Sequence, residues 1–276
     1  MPGRIQFILP PRQPTPGDCI GAAVSLAHSL DAELTVAVAQ SNAELSTNWL
    51  AREYMPADAS PFDARRAEAA ALLKQKVTTI ADAAGVAHRF VELLQGAGGS
   101  ERAAVMAARS HDLSVLCLAD QDLDGRRLAE ELLFDSGRPL LILPQSRPFA
   151  LGLDTIAIAW DHSEPASRVI SGALPLIKHA QRVFVFSVLG GKRLPRADGV
   201  EDLAAYLESH GVKTTSETLE SEDRARGRFI METAIAKGAG LLVMGAYATL
   251  PAQELLVGGA TLSVLNEPLL PVLMAN

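Results

Sequence analysis

Strand-length runs of apolar residues alternate along this chain with longer stretches whose apolar positions recur at helical spacing. Ile5-Gln-Phe-Ile-Leu9 predicts a first strand. Four prolines follow, then an apolar-periodic helix from about Asp18 to Leu30 and a second strand over Leu34-Thr-Val-Ala-Val38. The same plan restarts at Thr155-Ile-Ala-Ile-Ala-Trp160, with a helix through Val169, Ala173, Leu176 and Ile177 and the strand Val183-Phe-Val-Phe-Ser-Val188. Both copies then predict a helix, a strand and another helix before a closing pair of strands. Those closing pairs are alike. Asp112-Leu-Ser-Val-Leu-Cys-Leu118 precedes Arg138-Pro-Leu-Leu-Ile-Leu143, and Gly240-Leu-Leu-Val-Met-Gly245 precedes Glu267-Pro-Leu-Leu-Pro-Val-Leu273. The prolines at 139 and 268 fall 22 and 23 residues after Cys117 and Gly245, an agreement that chance does not readily supply.

Strands alternating with amphipathic helices predict βαβ units, right-handed crossovers and a mostly parallel sheet. Runs nearly continuous in Val, Ile and Leu suit strands buried on both faces. The expected fold class is α/β, with two doubly wound, mostly parallel sheets of five strands, one per copy. Pro144-Gln-Ser-Arg-Pro-Phe-Ala-Leu-Gly-Leu153 reads as the linker, leaving one domain over residues 1–146 and a second over 153–276.

A length of 276 residues and 48% hydrophobic content allow two domains with real cores. The net charge of −7 divides into −4 up to residue 150 and −3 after it, so neither copy carries the basic excess of a nucleic-acid footprint. The longest apolar stretches fall short of the roughly 18 residues of a membrane span. The apolar part of Met1 to Pro10 is too short for a signal peptide. A cytoplasmic protein with no membrane or nucleic-acid partner is expected. Cys19 and Cys117 lack CxxC spacing and read as ordinary buried thiols in a reducing compartment. The histidines show no zinc-ligand spacing and read as surface or helix-end residues.

Ile158-Ala-Trp-Asp161-His-Ser163, Leu241-Leu-Val-Met-Gly-Ala-Tyr247, Glu254-Leu-Leu-Val-Gly-Gly-Ala-Thr261 and Pro268-Leu-Leu-Pro-Val-Leu273 together carry a family resemblance. The chain resembles a tandem universal stress protein, closely in the second copy and loosely in the first. The resemblance implies a flavodoxin-like, adenine-nucleotide α-hydrolase-like sheet per copy and packing of the copies as an internal pseudo-dimer. It further implies that nucleotide-binding members carry an Asp after the first strand and a Val ending the second. Glycine, two residues, glycine, nine residues, glycine and Ser or Thr then follow.

On that pattern the nucleotide-binding residues are Asp161, Val188, Gly245, Gly258, Gly259 and Thr261. Asp161 matches the carboxylate at the adenine-ribose end, where a strand's C-terminal edge can accept a hydrogen bond. It equally suits the turn into a helix that Ser163 can cap. Val188 matches the adenine-side valine or is plain core. At Gly245 and Gly258 the missing Cβ lets backbone amides approach phosphate. The pattern's second glycine is Ala248 and its Ser/Thr position is Gly259. Ala248 strains any positive φ by about 1 kcal/mol or more. The lost hydroxyl removes on the order of 1 kcal/mol, so binding weakens roughly tenfold or more. Thr261 offers a hydroxyl in partial compensation, or packs; Tyr247 and Thr249 shape the loop or fill surface. The implied ligand is ATP or another adenine nucleotide, with Mg2+ only alongside it.

The first copy argues against a phosphate. Pro10 and Pro11 stand at the Asp position and Cys117 at the first glycine. Asp120, Asp122 and Asp124 follow, and three carboxylates repel phosphate unless a divalent metal intervenes. Asp120 to Glu131 outlines a calcium loop, but its ninth position is Leu128, and Arg126-Arg-Leu-Ala-Glu-Glu-Leu-Leu133 reads as helix. A solvated acidic loop is expected and no metal site is assigned. Gly96-Ala-Gly-Gly-Ser100 reads as a helix entry capped by Ser100. Asn48 to Pro61, with Trp49, Tyr54 and Met55, reads as a connection folded over the first copy or its partner.

The expected function is a stress-response binding and regulatory protein with a weakened nucleotide site in its second copy. A nucleotide-free scaffold or protein-interaction module is the alternative. A weak ATPase is a further one, with His162 beside Asp161 as a candidate helper. No catalytic residue is assigned. Pairing of the pseudo-dimer into a homodimer stays open, because the strand Leu269 to Met274 offers an edge to another sheet or to the other copy.

Overall fold

The computed structural model describes residues 3–9, 17–39, 61–93, 99–189, 199–221, 225–246 and 259–276. The first half runs β1 (Arg4–Leu9), α1 (Gly17–Ser29), β2 (Glu33–Ala39), α2 (Pro61–Ala83), β3 (His88–Leu93), α3 (Gly99–Ala108), β4 (Leu113–Leu118), α4 (Leu123–Asp135) and β5 (Leu140–Pro144). The second runs β6 (Thr155–Ala159), α5 (Glu164–Ile177), β7 (Arg182–Leu189), α6 (Gly199–Ser209), β8 (Thr214–Glu220), α7 (Arg226–Ala236), β9 (Leu241–Gly245), α8 (Ala260–Asn266) and β10 (Val272–Ala275). Pro10, Pro11, Trp49, Tyr54, Met55, Gly96 to Gly98, Tyr247, Ala248, Thr249 and Gly258 lie outside the described residues.

The α/β class and the five strands per half are as expected, but the two sheets are one. The strands form a single ten-stranded sheet in the order β3-β2-β1-β4-β5-β10-β9-β6-β7-β8. Among the described residues, pairing is parallel within each half and antiparallel only where β5 meets β10, with Val272 opposite Ile142, Leu273 opposite Leu141 and Met274 opposite Leu140. The edge offered by the last strand is thus covered by the other half. β10 is also shorter than the run from Pro268 to Met274. Proline cannot donate to a ladder, and Pro271 contributes only its carbonyl, which accepts from Leu242 N at 2.9 Å.

Alternation along each strand divides the core. Ile5, Phe7, Leu9, Ile156 and Ile158 face the layer of α1, α2, α5 and α6, while Ile8, Ala157 and Ala159 face that of α3, α4, α7 and α8. Buried polar groups within this sandwich find partners. Gln6, fully buried, donates to Ala104 O (3.2 Å) and accepts from Ser114 Oγ (3.2 Å), so its amide is satisfied on both sides.

The antiparallel junction brings the C-terminal end of β5 to the sheet edge where β6 begins, so a short linker suffices. That linker is no free tether: Phe149, Leu151 and Leu153 pack against the core. Gly152 crosses Gly240 so closely that a Cβ on Gly240 would lie 2.5 Å from Gly152 O and 2.6 Å from its N. Ion pairs close the same seam. Arg147 reaches Asp120 at 2.6 Å and Glu267 at 3.5 Å, and Arg228 reaches the other Glu267 oxygen at 3.1 Å. Asn266 accepts from Gln121 N at 2.8 Å and, on its side chain, from Arg126 at 3.0 Å.

Two local expectations change. Ser100 is not a cap but lies inside α3, buried, because the chain turns one residue earlier, at Gly99 with φ +80°. His111 is a helix-end residue, as one of its two readings had it, but a buried one: it closes the turn after α3, with Nδ1 2.8 Å from Ala107 O.

Candidate functional site

In each half the strand order reverses beside the first strand, between β1 and β4 and between β6 and β9. Connections there leave to opposite faces and open a crevice at the C-terminal strand ends. Because the junction is antiparallel, the two crevices lie on opposite edges of the sheet.

In the second half, Asp161 follows β6 and is exposed. Its Oδ1 accepts from Ser163 N at 3.0 Å, and Ser163 Oγ accepts from Ala166 N at 3.2 Å as the N-cap of α5. Asp161 therefore orders the turn. Between them His162 adopts φ +61°, and its ring lies 5.3 Å from that of Trp160 and directly over Gly199, where any Cβ would collide with the imidazole. The indole Nε1 of Trp160 is enclosed and has no hydrogen-bond partner among the described residues.

Gly245 ends β9 against the same helix start. A Cβ there would lie 2.6 Å from Ala166 N and 3.0 Å from Ala166 Cα. Its missing side chain thus lets β9 close on the first turn of α5. Val188 sits on the neighbouring strand, buried among the core residues of the α7 and α8 layer. Gly259 is the N-cap residue of α8, accepting from Ser263 N at 3.1 Å, and Thr261 is buried at 2% exposure in that helix's first turn. Asp161, Gly245 and Val188 are brought to one strand edge. Gly259 and Thr261 belong to the layer behind it, where α8 packs on α7 at Gly227.

The first half builds the matching place differently. Asp120 pairs with Arg147, and its amide donates to Ser146 Oγ at 2.8 Å. Asp122 is the N-cap of α4, its Oδ1 accepting from Gly125 N at 3.0 Å. Asp124 to Glu131 lie on α4, in keeping with the helical reading of Arg126 to Leu133. Among the described residues no group of three or more His, Cys, Asp or Glu side chains is placed to hold a metal. Asp122→Ala is expected to lower stability by about 1 kcal/mol through the lost cap. Urea unfolding checks this; an unchanged midpoint would contradict the capping role.

One contact had no local signal. Cys117, at the position of Gly245, and Cys19, in the first turn of α1, are both buried and free, and the Cys19 thiol lies near enough to act on that of Cys117. Burial, reinforced by the Cys19 thiol, pushes the Cys117 thiol well above its ordinary range. The repeat was the available clue, since Cys19 and Ala166 are each the third residue of the helix after the half's first strand.

No protein-family model matches the sequence, and no curated protein matches it. Solved structures do. A universal stress protein from Archaeoglobus fulgidus superposes with a TM-score of 0.72 at 13% identity, over 99% of this chain and 96% of that one. A protein of Pseudomonas aeruginosa assigned to the universal stress proteins gives 0.59 at 16% identity, over 98% and 91%. A protein of unknown function from Pseudomonas aeruginosa PAO1 gives 0.55 at 16%, over 98% and 91%. Among the described residues no helix is long and apolar enough to cross a membrane. Over nearly its whole length, both halves included, this chain has the fold of the universal stress proteins.

Proposed function

We propose that this chain is a tandem universal stress protein, a cytoplasmic binding and regulatory module of two domains, residues 1–146 and 153–276, packed as an internal pseudo-dimer. Its second domain alone holds an adenine nucleotide, weakly. Asp161 and Val188 serve the base and ribose side, and Gly245, Gly258, Gly259 and Thr261 the phosphate side, with Mg2+ entering only with the nucleotide.

The observation that carries this reading is the exposed carboxylate of Asp161 at the β6/β9 reversal, with Gly245 ending the adjacent strand. The Trp160 Nε1 beside it, without a partner among the described residues, adds a donor that a polar ligand can satisfy. The first domain offers Cys117 and the Arg147-paired Asp120 instead. One observation favours the nucleotide-free scaffold: Asp161 and Gly245 already have structural work at the start of α5.

Purified protein denatured and examined by absorbance and mass spectrometry should release an adenine nucleotide. Asp161→Ala should lower affinity roughly tenfold, the worth of one charge-assisted hydrogen bond, while keeping a cooperative melt. An empty protein that millimolar ATP with Mg2+ does not stabilise would establish the scaffold reading.

A further inference from the structure

Cys117 sits near the end of β4, 1% exposed, and Cys19 in the first turn of α1, fully buried; the two share one core cluster, with the Cys19 thiol near enough to act on that of Cys117. The fold forces this neighbourhood. At the matching positions of the second half, a Cβ on Gly245 would lie 3.0 Å from Ala166 Cα, so the fourth strand's end and the first helix's start abut in both halves. In the second half the approach is accommodated by glycine. In the first, two thiols fill it, and they are the chain's only cysteines.

We propose that Cys19 and Cys117 form a redox modification site, at which a peroxide joins them in a disulfide tying the C-terminal end of β4 to the first turn of α1. The inference is independent of whether the second half holds a nucleotide. In the first step one thiolate attacks a peroxide oxygen. The O–O bond breaks, an S–O bond forms, and the departing hydroxide takes up the proton that the thiol gave up and leaves as water. The second thiol then attacks the sulfenic sulfur; the S–S bond forms, the S–O bond breaks and a second water leaves. Two thiols give up two electrons and two protons, and hydrogen peroxide is reduced to two waters.

Peroxide is small enough to reach a buried pair, whereas bulky oxidants are not. The raised Cys117 thiol is almost wholly protonated at neutral pH, so its thiolate fraction, and with it the rate of any step it initiates, climbs as pH rises.

The test uses the reduced, full-length protein under native conditions. Millimolar hydrogen peroxide should yield a monomer about 2 Da lighter, the mass of two hydrogens lost in a disulfide. Digestion without reductant should then give the Cys19 peptide linked to the Cys117 peptide. Dithiothreitol should reverse both changes, and Tm should be higher in the oxidised form. Cys117→Ser should abolish the linked species. Thiols that both remain open to alkylation after denaturation, or that oxidise separately to sulfinic acids or to intermolecular dimers, would overturn the proposal.

Discussion

Gly240→Val is expected to destabilise the protein by about 3 kcal/mol or more, the upper range of overpacking, while Gly238→Ala, two residues away, should lose only about 1 kcal/mol. The difference comes from what each new Cβ meets. At Gly238 φ is +72° and nothing lies within 4 Å, so the penalty is backbone strain alone. At Gly240 the Cβ would lie 2.5 to 2.7 Å from the O, N and Cα of Gly152, all backbone. Relief requires the linker to lift, and that draws Phe149, Leu151 and Leu153 from the core. Urea unfolding gives both numbers from midpoint shifts at constant slope. Equal losses at the two sites would show that the Gly152 crossing does not bear on stability.

Leu273→Asp should have a still larger effect, above about 4 kcal/mol, because it buries an unpaired carboxylate. Leu273 is 1% exposed and lies between Leu141 of β5 and Val243 of β9, at the one antiparallel pairing that unites the halves. The outcome should be loss of the cooperative transition, with exposed apolar surface binding a hydrophobic dye. Ser216→Asp is the control: β8 is an exposed edge strand, and the same charge there should change stability by no more than about 0.5 kcal/mol. A Leu273→Asp protein that melts like the Ser216→Asp protein would contradict the continuous sheet.

The features legible from sequence are those with local causes. A hydroxyl ahead of an apolar-periodic run predicts a cap at Ser163, and Ser163 caps α5. The apolar period of Arg126 to Leu133 predicts helix, and the run lies within α4, which begins at Leu123. Ser100 misled because a glycine able to adopt positive φ stood beside it, and the turn used the glycine. For the candidate site, spacing named Asp161 and Gly245 correctly as strand-end residues. It did not reveal that both are engaged with the first turn of α5, because that contact joins segments far apart in the chain.

The duplicated strand–helix plan, the α/β class and the loss of the phosphate pattern in the first copy are encoded locally. Apolar period, proline and glycine placement and cap residues act over a few neighbouring positions. The union of two sheets into one, the crossing of Gly152 over Gly240 and the nearness of Cys19 to Cys117 arise on packing. Those are close approaches between distant segments, set by which backbones the packed layers bring together, and no local pattern encodes the distance between them.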